Sequence, residues 1–196
     1  MAYEGLSKHL DFHNLPDPGT RFNLKGVIAA GTYAEVREAL DTENDNRKVA
    51  IKMIENIKEN LEEIEEEYRV LWELPSHENL PKFYGIFLKK QGNVNDHQIW
   101  FVMEYLSHGT VSELARMYQM NNERMSETII SYILKEIIKA IQHLHANHVL
   151  HRDVKGMNIV LNDEGKVKLL DFGKWTGNEW TRKNAWLWVL KICSDA

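Results

Sequence analysis

The spacing of apolar residues changes along this chain from a strand-like to a helix-like pattern. Strand signals begin at Phe22 and run through Val27 and Ile28, and they return at residues 49–52. Two further apolar segments, residues 80–88 and 99–105, flank a polar loop and also predict strands. We therefore expect the first half of the chain to form a β-rich unit.

Helical spacing dominates two other segments. Between residues 58 and 73, Leu61, Ile64, Tyr68 and Leu71 recur every three or four positions, which predicts an amphipathic helix. Ser126 is a favourable N-cap residue, and the apolar positions after it predict a buried helix of about twenty residues. Those positions are Ile129, Ile130, Ile133, Leu134, Ile137, Ile138, Ile141 and Leu144. Residues 158–170 then predict a small hairpin.

Composition limits the function classes without choosing one. The chain has 196 residues, 43% of them hydrophobic and 27% charged, as in an ordinary globular protein. A net charge of −5 favours neither nucleic acid nor an anionic membrane, and no apolar run approaches the roughly 20 residues of a membrane span. The single Cys193 indicates a reducing compartment, and the N-terminus has no secretory pattern. Residues 1–21 form an irregular lead-in, because Pro16 and Pro18 interrupt any helix.

The strongest chemical signal follows the long helix. The letters H-R-D-V-K-G-M-N occupy residues 151–158, and D-F-G occupies residues 171–173. Asp153 can accept a proton from a hydroxyl, Lys155 can hold a negative oxygen, and Asn158 and Asp171 offer oxygens that suit Mg²⁺. Phosphoryl transfer depends mostly on positioning and charge neutralisation, so this set favours that reaction. The string also fits the protein-kinase signature, and so many identities in order make a chance match improbable.

A second segment, residues 29–36, reads A-A-G-T-Y-A-E-V between two strand signals. It could cover phosphates with backbone N–H groups, but an ordinary hairpin turn is the better explanation of these residues on their own. In the kinase pattern G-x-G-x-x-G-x-V, Ala29 and Ala34 take the first and third glycine positions. Because alanine resists positive φ, we expect a stiffer loop that holds a nucleotide less closely.

A lysine and a glutamate complete the candidate nucleotide site. Residues 49–52 match the V-A-I-K pattern, whose lysine pairs with the α- and β-phosphates. In the acidic helix that follows, most glutamates should form a solvated face. Glu67 instead lies on the apolar stripe, where a carboxylate needs a partner. Lys52 is the expected partner, and Glu63 is the alternative to Glu67. Residues 103–109 form a break that either connects a strand to a helix or pairs its backbone with an adenine edge.

From about Phe22 to Gly173 the chain resembles a eukaryotic protein kinase, and Lys155 is typical of the serine/threonine type. Within that family it resembles the sterile-20-like group, and more narrowly the N-terminal kinase domain of class III unconventional myosins, the NinaC type. The narrower resemblance rests on residues 15–18, 65–68, 83–86, 99–104 and 148–153, and on the alanines of the glycine loop. It implies an α+β, protein-kinase-like fold with a β-rich lobe and one regulatory helix at residues 22–106, and the start of a helical lobe at residues 107–173.

The resemblance also implies ATP and Mg²⁺ as cofactors and a protein with a Ser or Thr acceptor as substrate. Asp153 would be the base, Lys155 the clamp on the γ-phosphate, and Asn158 and Asp171 the Mg²⁺ ligands, while Lys52 pairs with Glu67. Met103 would be the gatekeeper, with residues 104–106 holding adenine. The residues implied around the nucleotide are Ile28, Ala29, Ala30, Gly31, Thr32, Tyr33, Ala34, Val36, Ala50, Lys52, Met103, Glu104, Leu106 and Leu161.

After Gly173 the sequence departs from the family pattern, and residues 174–196 form a tail that does not resemble it. A whole kinase domain has about 250 residues, so we expect an activation loop and later helices to be missing. Ile133, Ile137, Ile141 and Leu144 should then be exposed. Three interpretations stay open: an active kinase, a nucleotide-binding regulatory fragment, and a chain that does not fold stably. The resemblance implies a cytoplasmic location, with actin or cytoskeletal contact only through a myosin motor that this sequence lacks.

Overall fold

The computed structural model describes Tyr3, Ser7 and residues 9–31, 34–162 and 164–170. The chain divides into two compact units. The first unit comprises Met1–Glu73 and Lys82–Tyr105, and the second comprises Leu74–Pro81 and Leu106–Ala196. The elements of the first unit are β1 (Phe22–Ala30), β2 (Ala34–Asp41), β3 (Arg47–Ile54), α1 (Leu61–Glu73), β4 (Phe83–Lys89) and β5 (Gln98–Glu104). Those of the second are α2 (Val111–Met120), α3 (Glu127–Ala146), β6 (Ile159–Leu161) and β7 (Val167–Leu169).

An antiparallel sheet in the order β1-β2-β3-β5-β4 forms the centre of the first unit. The strands predicted from the apolar pattern are confirmed, with small shifts at their ends. Asp45 and Asn46 turn the chain between β2 and β3 at φ of 52° and 54°, a conformation that Asp and Asn tolerate better than most residues. The α+β, kinase-like fold class is thus confirmed for this unit.

Alternate residues of the strands bury opposite faces of the sheet, because a strand repeats every two residues. One face packs an apolar cluster made of Phe22, Ala39, Val49, Ile51, Met53, Phe87, Trp100 and Val102. On the other face, residues of β3, β4 and β5 pack with Ile64 of α1 and with three residues of the lead-in. We call this second group the α1 cluster; its buried members are Tyr3, Leu10, Phe12, Ile54, Ile57, Ile64, Ile86, Leu88, Ile99 and Phe101.

Two capped helices begin the second unit. The Ser126 hydroxyl accepts a hydrogen bond from the Ile129 N–H, and α3 runs for 20 residues, as predicted. Helix α2 was not predicted, and it starts with a reciprocal cap: Thr110 accepts from the Glu113 N–H, and the Glu113 carboxylate accepts from the Thr110 N–H at 2.7 Å. Its T-x-x-E signal was present in the sequence. Within the described residues no helix is long and apolar enough to cross a membrane.

The prediction that a stripe of α3 is exposed is wrong. Ile133, Ile137 and Leu144 are only 5%, 4% and 0% exposed, and α3 packs against β7. The exposed large hydrophobic side chains of this helix are Ile130, Tyr132, Leu134 and Ile138. Because α3 carries apolar residues on more than one side, its periodicity alone could not show which side the β6–β7 hairpin covers.

Asn79 ties the turn Leu74–Pro81 into the second unit. Its side chain is buried, and Nδ2 donates to Glu136 Oε2 at 2.9 Å and to the Val167 carbonyl at 3.0 Å. Its own backbone carbonyl accepts from the Leu169 N–H at 2.9 Å. This one residue therefore connects α3 to β7, the strand that ends two residues before the D-F-G segment.

Candidate active site

In the first unit Lys52 and Glu67 form a close ion pair. Lys52 Nζ lies 2.6 Å from Glu67 Oε2, and the two side chains are only 14% and 23% exposed. The partner of Lys52 is thus Glu67, which lies on the apolar stripe of α1, and not the alternative Glu63. A pair shielded from water in this way fixes both the lysine ammonium group and the distance of α1 from β3.

Strand register places the other candidate nucleotide residues beside Lys52. Val36 lies directly opposite Lys52, and Ala29 lies opposite Val36. Ala50, two positions before Lys52 on β3, lies opposite Met103. Residues opposite each other in an antiparallel pair share a face, as do residues two apart in one strand. All five side chains therefore belong to one face of the sheet.

The hairpin between β1 and β2 lies at the end of that face. The Gly31 N–H donates to the Ala34 carbonyl at 2.8 Å, while Ala29, Ala30 and Gly31 are exposed and Ile28 is half exposed. Thr32 and Tyr33 lie outside the described residues. At the far end of β5, the Glu104 N–H donates to the Lys82 carbonyl at 2.8 Å and the Glu104 carboxylate accepts from the Lys82 N–H at 3.0 Å.

In the second unit Asp153 gathers an ammonium and an amide around its carboxylate. Lys155 Nζ lies 2.6 Å from Asp153 Oδ2, and Asn158 Nδ2 donates to the same oxygen at 3.0 Å and to the Asp153 carbonyl at 2.8 Å. The hydrogen bond from Lys155, and then that from Asn158, hold the pKa of Asp153 below its ordinary value against the opposing effect of burial. Asp153 is therefore ionised at neutral pH.

Asn158 offers an oxygen that fits a divalent cation. Because both hydrogen bonds to Asp153 use Nδ2, the carbonyl Oδ1 lies on the other side of the amide group. The residue is buried, and Oδ1 takes part in neither of these two hydrogen bonds. Such an oxygen is a suitable ligand for Mg²⁺. Asp171, the other predicted metal ligand, lies outside the described residues.

His151 is a functional candidate to which no separate role was assigned from the sequence. The ring is buried; Nδ1 accepts from the Asp153 N–H at 3.3 Å, and Nε2 lies 2.7 Å from the Leu170 carbonyl. Since a carbonyl can only accept, Nε2 carries the proton. The ring thus joins the backbone of Asp153, which follows Arg152 at φ 66°, to the end of the β6–β7 hairpin. The position of His151 in the H-R-D motif was the feature of the sequence that could have indicated this role.

The remaining candidates lie at the start of the second unit and on β6. Leu106 and Leu161 are both partly buried. The Leu161 N–H donates to the Gly109 carbonyl at 3.3 Å, and Thr110 bridges to Val160. The structure thus brings the Lys52 group together within the first unit and the Asp153 group together within the second.

Comparison with known proteins gives the family. The protein kinase domain family matches residues 22–185. This chain belongs to the protein kinase family. The domain is 44% identical to human Myosin-IIIa over 168 residues, which are 86% of this chain and 10% of that protein. It is 43% identical to Drosophila melanogaster Neither inactivation nor afterpotential protein C over 165 residues, 84% of this chain and 11% of the relative.

A third relative extends the comparison to the sterile-20-like kinases. Rat Misshapen-like kinase 1 is 38% identical over 159 residues, which are 81% of this chain and 12% of that protein. The predicted resemblance to class III myosin kinase domains is therefore confirmed, and the chain is by family a serine/threonine kinase, a transferase. This kinase domain spans about a tenth of the length of the human Myosin-IIIa and Drosophila melanogaster relatives.

Proposed function

We propose that this kinase domain binds Mg·ATP and transfers the terminal phosphoryl group to a serine or threonine hydroxyl of a protein. The observation that carries the proposal is the Asp153 cluster. An ionised carboxylate, an ammonium group at 2.6 Å and an amide that donates to the carboxylate through its nitrogen lie together on one loop. These are the groups that phosphoryl transfer needs for orienting a hydroxyl and neutralising charge.

Each member of the cluster has a separate task in this proposal. Asp153 accepts a hydrogen bond from the acceptor hydroxyl and takes its proton as the new P–O bond forms. The bond from the γ-phosphorus to the oxygen that bridges the β- and γ-phosphates breaks in the same step, and ADP leaves. Lys155, which already faces that carboxylate, holds an oxygen of the transferred group. Asn158 Oδ1 and Asp171 would hold the metal, and bound Mg·ATP supplies the phosphoryl group and the charge that neutralises its oxygens. His151 keeps the Asp153 backbone in place.

The first unit supplies the proposed nucleotide contacts. Lys52, held by Glu67, would bind the α- and β-phosphates, and the β1–β2 hairpin would cover them. Val36, Ala50 and Met103, which share the face of Lys52, would line the adenine side within this unit, with Glu104 at the end of β5. Leu106 and Leu161 of the second unit stay candidate nucleotide residues from the sequence. Ala29 and Ala34 narrow the φ range of the hairpin, so we infer that ATP is held weakly.

A second candidate function follows from those alanines. A kinase domain that binds ATP but transfers little phosphate would act as a binding or regulatory domain. The alanines at two glycine positions of the loop favour this second function. The protein substrate and cellular setting are also inferences. Relatives named Myosin-IIIa and Myosin-IIIb support a place beside a myosin motor, and with it a cytoplasmic and cytoskeletal setting.

Two substitutions separate binding from transfer. Lys52→Met removes a charged contact to phosphate worth about 1.5–3 kcal/mol, so calorimetry should show clearly weaker Mg·ATP binding. Lys48→Met is the matched control, because Lys48 lies on the same strand and pairs at the surface with Glu38 at 3.2 Å. Asp153→Asn should leave ATP affinity unchanged and lower transfer of labelled phosphate to a mixed protein acceptor by about 10²–10⁴.

The outcomes distinguish the candidates. Equal Mg·ATP affinities for the wild type and Lys52→Met would refute the nucleotide assignment. ATP binding that depends on Lys52, without any transfer that depends on Asp153, would favour the binding piece over the enzyme.

A further inference from the structure

The lead-in is packed into the first unit although it contains no helix or strand among its described residues. Tyr3, Leu10 and Phe12 are buried, with Phe12 only 2% exposed. The rings of Tyr3 and Phe12 stack at a centroid distance of 5.3 Å. All three belong to the α1 cluster, together with Ile64 of the helix that carries Glu67. The lead-in therefore forms part of the core beneath α1.

Polar contacts hold the same segment along the outer strand of the sheet. The Leu88 N–H of β4 donates to the Pro16 carbonyl at 3.0 Å, and the Lys90 N–H donates to Asp17 Oδ2 at 3.3 Å. The Tyr3 hydroxyl lies 2.8 Å from His97 Nδ1, just before β5. Because β4 is at the edge of the sheet, the lead-in covers backbone groups that would otherwise be unpaired.

The position of α1 connects this packing to the candidate site. Ile64 precedes Glu67 by three residues, so the two side chains lie on the same side of the helix. Ile64 is completely buried in the α1 cluster, while Glu67 reaches Lys52 at 2.6 Å. Removing Phe12 would leave a cavity in this cluster, which a surrounding structure refills only in part. The helix would then lose part of the surface that sets its distance from β3.

We propose that the lead-in is a positioning segment for the nucleotide site, with Phe12 as a positioning residue that acts through α1 on the Lys52–Glu67 pair. The consequence for nucleotide affinity rests on the proposed function, whereas the consequence for α1 does not. Withdrawal of the segment would loosen α1 and lower the affinity for Mg·ATP without touching any residue that contacts the nucleotide.

The test compares Phe12→Ala and the milder Phe12→Leu with the control Phe22→Ala in the whole 196-residue chain. Phe22 is also buried but packs on the opposite face of the sheet, where its ring meets Phe87 at 5.1 Å. Hydrogen exchange read by mass spectrometry over residues 61–73 should become about tenfold faster in Phe12→Ala and less so in Phe12→Leu, as expected for local opening of one helix. Phe22→Ala should leave α1 exchange unchanged at a similar loss of thermal stability.

Nucleotide binding supplies the second measurement. Phe12→Leu should weaken Mg·ATP binding in the wild-type background and have no effect in the Lys52→Met background, because both substitutions act on one contact. Equal α1 exchange in Phe12→Leu and the wild type would overturn the proposal, and so would equal effects of Phe12→Leu in both backgrounds. If the wild type does not bind Mg·ATP, the proposed function fails, and the exchange of residues 61–73 still decides whether the lead-in positions α1. If Phe12→Ala does not fold, Phe12→Leu decides both measurements.

Discussion

Asn79→Asp is the substitution that probes most directly how the second unit is held together. The change is nearly isosteric, but it replaces a donor by a carboxylate. In the wild type, Asn79 Nδ2 lies 2.9 Å from Glu136 Oε2 and 3.0 Å from the Val167 carbonyl. In the variant both of these acceptors would face a negatively charged oxygen, at a residue that is only 1% exposed.

The magnitude follows from the two hydrogen bonds that the variant cannot make and from the negative charge that it adds. One hydrogen bond to a charged group and one to a neutral carbonyl are together worth about 2–4 kcal/mol, which is also the expected cost of Asn79→Ala. Two negative charges about 4 Å apart add repulsion of up to about 4 kcal/mol at the effective dielectric constant of a protein near its surface. Asn79→Asp should therefore be the less stable variant at neutral pH, by an amount comparable with a domain's total stability of about 5–15 kcal/mol.

The stability of the wild type and that of Asn79→Asp should depend on pH in opposite directions. In the wild type the hydrogen bond from Lys139, and then that from Asn79, lower the pKa of Glu136. That contribution to stability is present above the unfolded pKa of about 4.3 and is lost as pH falls through the folded value. In Asn79→Asp the like charges instead raise the folded pKa of the carboxyl pair. The destabilisation is then full at high pH and is relieved as pH falls through the raised value.

Urea unfolding followed by tryptophan fluorescence at pH 7.5 and pH 5.5 measures both effects. Asn79→Asp should be less stable than Asn79→Ala at the higher pH, and the difference should narrow at the lower pH. Asn95→Asp, an exposed position of the first unit, controls for the added charge. An Asn79→Asp variant as stable as Asn79→Ala at pH 7.5, or a difference independent of pH, would refute the role assigned to this contact.

Three further predictions use other contacts. Lys155→Met should raise the pKa of Asp153 towards its ordinary value of about 3.9, because the ammonium group is the main cause of its depression; an unchanged carboxylate titration by NMR would contradict this. Arg21→Met removes two hydrogen bonds of 2.8 Å to the buried Asp41, so the free energy of unfolding in urea should fall by about 3 kcal/mol. Arg69→Met, which removes an exposed ion pair, should lower it by less than about 0.5 kcal/mol. Equal losses of stability in the two variants would contradict the prediction. His151→Phe should lower transfer but leave the Mg·ATP dissociation constant unchanged, since the two ring nitrogens bond to the backbone of Asp153 and Leu170; a parallel loss of affinity would argue for a wider role.

Local signals in the sequence predicted most of the elements and one long-range pair. The strands and α3 follow from apolar periodicity and a cap residue. Glu67 could be separated from its neighbouring glutamates because it lies on the apolar stripe of α1, where a charge needs a partner, and Lys52 is that partner. The roles of these residues towards ATP stay predictions.

The features that could not be predicted from the sequence depend on contacts between distant residues. Asn79 bonds to Glu136 and Val167, which are 57 and 88 positions away, and nothing near Asn79 in the sequence indicates either partner. The burial of Phe12 was not predicted for a related reason, since an irregular segment has no period that shows which side chains face a core. For α2 the capping signal was present, but a ten-residue helix without buried residues leaves a weak apolar pattern.

The Lys52–Glu67 pair of the first unit and the Asp153 cluster of the second unit depend on different interactions, which makes them separable by mutation. The Lys52–Glu67 pair depends on apolar packing around α1, to which the lead-in contributes. The Asp153 cluster is held by hydrogen bonds within residues 151–158 and by His151, which is anchored to Leu170. Phe12→Leu should therefore change α1 exchange and leave the pKa of Asp153 as it is. Asn79→Ala, whose partners include β7 next to Leu170, should shift the Asp153 titration and leave α1 exchange unchanged. If either variant changed both α1 exchange and the Asp153 titration, the pair and the cluster would share support that the contacts within each unit do not explain.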